Sequence, residues 1–205
     1  GSTLCCLAEV LDRELGGKDG DPAAWREALG RLRVLIVHAG GDSKRLPAYG
    51  PCGKIFVPVP GDSDTAVGAT LFDRQLPTYL ALPAPPDDAG QVVITSGDVL
   101  LRFDPHAVRF DAAGITGLGC LATPEQASRH GVYCADHDGH VRTFLQKPSP
   151  AEQAERGAVD RYGQVILDIG VMSFDAATAV QLLRTCEFVP GPDGRLRWSG
   201  EMGEA

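Results

Sequence analysis

A stretch near residue 38 combines glycines with positive charges directly after an apolar run. It reads HAGGDSKRLPAYGPCGKIFVPVP over residues 38–60, with Gly40 and Gly41 first, Lys44 and Arg45 next, and Lys54 nine residues beyond Arg45. Glycines allow backbone N–H groups to approach a phosphate closely, and nearby cations neutralise its charge. The stretch therefore suits a nucleoside triphosphate, although a solvated surface loop with three ordinary cations would have the same composition.

The stretch matches neither of two common phosphate-binding motifs. The pattern GxxxxGK[ST] is absent, and so is the dinucleotide-binding pattern GxGxxG. A wide cationic loop remains, and any anion that it binds would lie across the loop rather than inside a tight cradle.

Two further polar clusters follow apolar segments that resemble strands. One is the sequence SGD, which ends in Gly97 and Asp98, and the other, less clear, is the break at 168–170, which begins with Asp168. Ligands of α/β sheets bind outside the carboxyl ends of the strands. We therefore expect these clusters and the stretch at 38–60 to converge on one cleft.

The elements that must position these residues alternate between strands and helices. Short apolar runs predict strands, and segments with helical periodicity or capping signals predict helices between them. Asp138-Gly139 lies between two alternating segments and predicts a β-hairpin. Together these patterns predict an α/β fold with a mostly parallel central sheet and a β-hairpin insertion. The predicted strands are 33–39, 91–101, 114–123 and 164–175, and the predicted helices include 22–29, 70–82, 149–159 and 176–188.

Composition excludes several classes of partner. The chain has 205 residues and a net charge of −8, which argues against nucleic acid and acidic membranes as partners. No apolar stretch approaches the roughly 18 residues that span a bilayer. The six cysteines form no CxxC pair, which favours reduced thiols and a cytoplasmic location.

Five segments in order resemble the sugar-1-phosphate nucleotidyltransferase superfamily, whose loop is usually written GGxGxRLxP…PK. They cover roughly residues 33–185, and their residues are most similar to those of the L-fucose-1-phosphate guanylyltransferase (GDP-fucose pyrophosphorylase) branch. In this chain Ser43 stands at the third glycine of the loop signature, and Gly53 stands at the proline before the lysine. The segments are HAGGDSKRLP…GK, TLFDRQL, VVITSGDVLL, HGVYCADHDGHVRTFLQKPS and VILDIGVMSFD.

The resemblance implies a fold, a reaction and a domain layout. The fold is a Rossmann-like three-layer nucleotidyltransferase (GT-A-like) fold, and the reaction forms GDP-L-fucose and pyrophosphate from GTP and L-fucose-1-phosphate with Mg²⁺. The nucleotidyltransferase domain would occupy 33–190 and be truncated at its C-terminus, between an N-terminal helical lead-in over 1–32 and a polar tail over 191–205. A covalently linked sugar kinase domain is a candidate partner in the full-length protein.

The resemblance also implies roles for particular residues. Arg45 and Lys54 are the candidate catalytic residues, Asp98 the candidate Mg²⁺ ligand, and Lys147 and Asp168 the candidate sugar-phosphate ligands. The candidate nucleotide-binding residues are Ala39, Gly40, Gly41, Ser43, Gln75 and Gly97.

Two alternatives to this function remain open at the level of sequence. One is a non-catalytic domain that binds nucleotide or supports a sugar kinase, and the other is a transferase for another sugar-1-phosphate or another nucleoside triphosphate.

Overall fold

The computed structural model describes residues 2–17, 20–39, 53–61, 68–86 and 89–200. These residues divide into two compact units, of which the first contains residues up to 116 and from 172 onward, and the second contains residues 117–171. The helices are α1 (Ser2–Leu15), α2 (Pro22–Gly30), α3 (Leu71–Leu80), α4 (Pro124–Ala127), α5 (Pro150–Glu155) and α6 (Ala176–Thr185). The strands are β1 (Arg33–His38), β2 (Gln91–Ser96), β3 (Ile115–Ala122), β4 (Gly131–Ala135), β5 (Val141–Gln146), β6 (Val165–Asp175), β7 (Phe188–Pro190) and β8 (Leu196–Trp198).

The sheet of the first unit is built on β1 and β2. The prediction for β1 is right to one residue, whereas β2 begins at Gln91 as predicted but ends at Ser96 rather than at residue 101. They pair in parallel without a register shift, from Arg33 opposite Gln91 to His38 opposite Ser96. The last residues of β6 belong to this unit, where β6 follows β2 in the strand order. The carboxyl ends of β1 and β2 therefore lie side by side.

Three helices supply most of the core of the first unit. Helices α1, α2 and α6 each bury residues spaced three or four apart, which is the pattern of an amphipathic helix with one face on a core. Asp21 caps α2 by accepting a hydrogen bond from the Ala23 N–H at 2.9 Å, and Pro22 occupies the first turn, as the sequence predicts. The buried helix residues are Leu7, Ala8, Leu11, Trp25, Ala28, Leu29, Ala179, Val180 and Leu183.

The second unit contains the predicted hairpin. Strands β4 and β5 pair antiparallel, from Gly131 opposite Gln146 to Cys134 opposite Thr143, and Gly139 in the turn has a φ of 85°. Strand β4 also pairs with β6 in antiparallel orientation, and β3 pairs with β6. The core of this unit consists of Ala127, Val132, Cys134, Leu145 and Val165.

The prediction of a mostly parallel sheet is wrong, because the sheet is mixed. Parallel pairing joins β1 to β2, whereas β4 is antiparallel to both of its neighbours, β5 and β6. A continuous apolar run indicates burial on both faces but does not fix the direction of the neighbouring strand. The hairpin was predicted as an insertion, yet its first strand pairs with β6 and brings antiparallel pairing into the sheet.

A small ladder that the sequence analysis did not assign closes the first unit. Strands β7 and β8 pair antiparallel, and Phe188 and Leu196 are buried in the core of this unit. The Leu196 N–H donates a hydrogen bond to Asp12 Oδ1 in α1 at 2.9 Å, so this ladder is fixed to the first helix. Within the described residues, the helices are too short or too polar to cross a lipid bilayer.

Candidate functional site

The carboxyl ends of β1 and β2 meet at a close backbone contact. The Gly97 N–H donates a hydrogen bond to the His38 carbonyl at 2.9 Å. A Cβ atom on residue 97 would lie 2.5 Å from that carbonyl oxygen and 2.7 Å from Cδ1 of Ile55. Only glycine fits there. This close approach brings residues 96–98 next to the segment that carries Lys54.

The segment 54–56 forms one turn of 3₁₀ helix that is anchored to the first unit by its apolar residues. Ile55 is 2% exposed, and the ring of Phe56 lies against Phe72 of α3 with a centroid distance of 5.6 Å. The Leu71 N–H also donates to the Val57 carbonyl at 3.1 Å. Lys54 therefore projects from a fixed turn.

Gly53 precedes this turn in a conformation that explains its departure from the superfamily signature. Its φ is 77° and its ψ is 150°, whereas the proline ring locks φ near −65°. A Cβ atom at this position would lie 3.4 Å from the Ala39 carbonyl oxygen. The route that the chain takes into Lys54 thus requires glycine rather than proline.

Lys54 and Asp98, which the sequence analysis placed in one site, do lie together. The Lys54 Nζ atom is 3.4 Å from Asp98 Oδ2, and the side chains are 38% and 44% exposed. The Ser96 hydroxyl donates to Asp98 Oδ1 at 3.0 Å, so the carboxylate is held from two directions. An exposed pair of this kind stabilises a fold by at most about 1 kcal/mol, so the pair contributes little to stability.

Gln75 lies beneath the end of β2 rather than at the surface. It is 3% exposed, and its Oε1 atom is 2.5 Å from the Tyr79 hydroxyl, which is also 3.0 Å from the Ser96 carbonyl oxygen. Burial raises the pKa of Tyr79 to about 12. Nε2 of Gln75 has no hydrogen-bond partner among the described residues. Its predicted contact with the nucleotide stays a prediction.

The structure describes only part of the predicted nucleotide loop. Gly40, Gly41, Ser43 and Arg45 lie outside the described residues, so their roles remain predictions. Ala39 is described and follows the last residue of β1.

Lys147 belongs to the second unit and follows β5 in an unusual backbone conformation. Its φ is 52°, in the left-handed region that residues with a side chain rarely adopt, and its N–H donates to the His130 carbonyl at 2.9 Å. Gln153 is fully buried and donates through Nε2 to the Pro148 carbonyl at 3.0 Å and to the Pro124 carbonyl at 2.9 Å. The turn that carries Lys147 is therefore fixed from below by a buried amide.

Asp168, in β6 of the same unit, has one oxygen engaged by protein donors. Oδ1 accepts hydrogen bonds from the Tyr133 hydroxyl at 2.9 Å and from the Gly170 N–H at 2.8 Å. Burial, the negative charge of Asp168 and the hydrogen bond to it raise the pKa of Tyr133 above its ordinary value. The phenol therefore remains a hydrogen-bond donor across the physiological pH range.

The sequence analysis missed three supporting residues, Ser96, Tyr133 and Gln153. Ser96 stands two residues before Asp98, a spacing at which a hydroxyl can reach the carboxylate, so its position in SGD was a usable signal. Tyr133 and Gln153 act through contacts with residues 35 and 29 positions away, and no local pattern indicates them.

Fold and site together define an α/β domain on a mixed sheet, with a lysine–aspartate pair at the carboxyl ends of its parallel strands. Residues 26–192 match the fucose pyrophosphorylase domain family, and the chain belongs to that family.

Several relatives have been named for their activities. The chain is 30% identical over 199 residues to the L-fucokinase/L-fucose-1-P guanylyltransferase of Bacteroides fragilis, with 88% of the chain and 21% of that protein covered. It is 32% identical over 163 residues to the bifunctional fucokinase/GDP-fucose pyrophosphorylase of Arabidopsis thaliana, with 73% and 15% covered. The fucose-1-phosphate guanylyltransferase of Mus musculus is 28% identical over 187 residues, with 83% and 29% covered. The chain thus spans less than a third of the length of each of these relatives.

Proposed function

We propose that this chain is a sugar-1-phosphate guanylyltransferase domain that forms GDP-L-fucose and pyrophosphate from GTP and L-fucose-1-phosphate. Membership of the fucose pyrophosphorylase domain family is the observation that carries this proposal. The names of relatives from a bacterium, a plant and a mammal support it. A Rossmann-like three-layer, GT-A-like arrangement of the complete domain is part of the same proposal.

The reaction brings two anions together and needs positive charge at the phosphorus that is attacked. The phosphate of the sugar attacks the α-phosphorus of GTP in line, an O–P bond to the sugar phosphate forms, and the bond to pyrophosphate breaks. Catalysis of this kind consists mostly of positioning and electrostatic stabilisation. The ammonium group of Lys54, fixed on its turn and within reach of solvent, is suited to stabilise an α-phosphate oxygen in the transition state.

Arg45 and the loop glycines complete the nucleotide side of the proposal. The planar guanidinium of Arg45 can hold the β- and γ-phosphates through paired donors. Backbone N–H groups of Gly40 and Gly41 would approach the phosphates, and Ala39 and Ser43 would line the same loop. Gly97 contributes by allowing the close approach of β1 and β2 that sets the floor of this site.

Asp98 fits the chemistry of a Mg²⁺ ligand. Its carboxylate is a hard-oxygen donor at a strand end, it is 44% exposed, and Mg²⁺ usually takes one or two carboxylates together with phosphate oxygens and waters. When bound, Mg²⁺ would supply charge that neutralises the phosphates. Ser96 would keep the carboxylate oriented through its hydrogen bond to Oδ1.

Lys147 and Asp168 form the sugar-phosphate side of the proposal. Lys147 has a left-handed backbone and is exposed, so its ammonium would be available to the phosphate of the sugar. Among the described residues no donor reaches the second oxygen of Asp168, which would accept hydrogen bonds from sugar hydroxyls.

Pyrophosphate release tests the proposal. The purified chain is incubated with Mg²⁺, each of the common nucleoside triphosphates and a panel of sugar-1-phosphates. We expect release to be fastest with GTP and L-fucose-1-phosphate. Release with UTP but not GTP would replace the guanylyl assignment with a transferase of another nucleotide.

A linked sugar kinase is the partner that the relatives suggest. The bacterial and plant relatives carry fucokinase in their names, and the chain covers 21% and 15% of them. If neither this chain nor a version extended to the length of these relatives releases pyrophosphate, the non-catalytic role beside a kinase is favoured instead.

A further inference from the structure

Tyr133 stands out among the buried polar residues because its ring and its hydroxyl are both fixed. The residue is 7% exposed, and its ring lies against Phe144 of β5 with a centroid distance of 5.3 Å and an interplanar angle of 54°. The hydroxyl reaches Asp168 Oδ1 at 2.9 Å. A side chain held at both ends directs this hydrogen bond to one position.

Two glycines, one in β3 and one in β4, make room for this contact. A Cβ atom on Gly117 of β3 would lie 2.4 Å from the Tyr133 hydroxyl oxygen. A Cβ atom on Gly131 of β4 would lie 2.3 Å from Cζ of Phe144 and 3.2 Å from Cβ of Asp168. Any larger residue at either position would push the tyrosine, its ring partner or the aspartate out of place. The surrounding structure is thus shaped for the pair.

The two carboxylate oxygens of Asp168 differ in their hydrogen bonding. Oδ1 accepts from Tyr133 and from the Gly170 N–H, whereas Oδ2 has no partner within the described part of the chain. Two donors on one oxygen fix the plane of the carboxylate and leave the other oxygen as the acceptor for a ligand. Vicinal hydroxyls of a sugar are donors that match such an acceptor.

We infer that Tyr133 is a positioning residue that orients Asp168 toward the hydroxyls of the sugar-1-phosphate, and so sets the affinity for the sugar rather than for the nucleotide. This inference rests on the proposed function. Tyr133 would act through Asp168 and would not touch the substrate itself.

Removal of one oxygen atom tests this inference. In Tyr133→Phe the ring remains against Phe144, so the fold is retained and only the bond to Asp168 is lost. We expect the KM for L-fucose-1-phosphate to rise about tenfold, the effect of losing one hydrogen bond to a charged group. The KM for GTP and the melting temperature should change little.

A double variant and a matched control separate positioning from structure. Asp168→Ala should raise the same KM, and adding Tyr133→Phe to it should have no further effect, because the tyrosine acts only through the aspartate. Tyr162→Phe removes the same atom from a tyrosine of the same unit that is 71% exposed, and it should leave both KM values unchanged.

Three outcomes would overturn the inference, and they differ from one another. An unchanged sugar KM in Tyr133→Phe would remove the positioning role and leave the proposed function intact. Equal rises in both KM values with a lowered melting temperature would show a structural role alone. Absence of pyrophosphate release in the wild type, in Tyr162→Phe and in a version extended to the length of the relatives would reject the proposed function itself, and this inference with it.

Discussion

At the scale of single residues, Lys54 is held near Asp98 by the backbone around it more than by their charges. Gly53 takes a φ of 77°, Ile55 is buried, and Gly97 lets β2 pass close to His38. These three features bring an ammonium and a carboxylate to 3.4 Å in solvent, where their attraction alone is weak. The backbone thus sets the geometry of the pair while both side chains remain partly exposed to solvent.

Lys54→Ala should lower turnover by at least about 100-fold, because one preorganised donor to the transition state contributes this much. The measurement is kcat for pyrophosphate release with GTP and L-fucose-1-phosphate. The melting temperature should stay nearly constant, since the side chain is 38% exposed. Lys18→Ala, a lysine outside the predicted loop, serves as the control, and an equal rate in both variants would mean that the cationic stretch was misread.

Asp98→Asn should increase the Mg²⁺ concentration that gives half-maximal rate by at least about tenfold, the loss seen even for groups that only support a metal ligand. The amide keeps the shape of the side chain but loses the charge that attracts the ion. A Mg²⁺ titration at saturating substrates measures this shift. Asp104→Asn, which alters the cap of a short 3₁₀ turn in the same unit, should leave the midpoint in place. A midpoint unmoved by Asp98→Asn would remove this residue from the metal site.

At the scale of elements, the paired ends of β1 and β2 do most to place the candidate site. The ladder runs without a shift from Arg33 to His38 and continues into the Gly97–His38 hydrogen bond. The 3₁₀ turn that carries Lys54 sits directly on this end through Ile55. Any widening of the gap between the two strand ends would therefore move both members of the lysine–aspartate pair.

Gly97→Ala should destabilise the protein by about 1–3 kcal/mol, because its Cβ would be forced against the His38 carbonyl oxygen and Ile55. Urea unfolding measures the change, and kcat should fall with it as Lys54 and Asp98 move apart. Gly30→Ala is the matched control, since a Cβ there meets nothing within 4 Å and lies in a helix. That variant should be neutral or stabilised by up to about 1 kcal/mol. Equal stabilities for the two variants would contradict the close-packing argument.

Much of the element order could be predicted from local patterns. The apolar runs predict β1, β3 and β6 to within one residue at each end, whereas the run at 91–101 continues five residues beyond the end of β2 at Ser96. Asp21 and Ser149 each precede a proline and cap the helix that follows, which is a pattern that the sequence contains. The direction of β4 relative to β6 is harder to predict from the sequence. It depends on pairing with a strand about 34 residues later, and such pairing leaves no local signal. The ladder β7–β8 was missed because its strands are three residues long and their polar surroundings resemble a loop.

Sequence patterns identify candidate site residues by their type and spacing. They do not show which side chains tertiary packing buries. Asp98 follows a buried strand and Lys54 follows the glycine-rich stretch, so both were predicted as site residues. The structure brings them to 3.4 Å, and their roles stay predictions. The prediction that Gln75 contacts the nucleotide stays a prediction, whereas its 3% exposure follows from tertiary packing that no sequence pattern contains. Tyr133 was missed for the same reason, since its partner is 35 residues away.

At the scale of the whole molecule, each unit buries a tyrosine whose ionisation the fold opposes. Burial raises the pKa of Tyr79 in the first unit to about 12, and burial together with Asp168 raises the pKa of Tyr133 in the second. The ordinary value is 10.0. The folded state thus favours the neutral phenol at both positions.

The stability that these tyrosines contribute should be complete below about pH 10 and be lost as the pH rises through the raised values, because the unfolded chain releases those protons earlier. Urea unfolding at a series of pH values between about pH 9 and pH 12 measures the slope of the free energy of unfolding against pH. Tyr79→Phe and Tyr133→Phe should each flatten it, whereas Tyr162→Phe, which alters an exposed phenol, should not. A slope that is the same in all four proteins would show that other groups govern alkaline unfolding.

The first unit is assembled from two stretches of chain, residues up to 116 and from 172 onward, while the second is one continuous stretch between them. Leu196 near the end of the described chain bonds to Asp12 near its beginning. During synthesis on the ribosome, the 117–171 stretch can therefore acquire its contacts as soon as it has emerged. Helices α1 and α2 instead share their core with α6, Phe188 and Leu196, so that core is complete only after those later residues have been made.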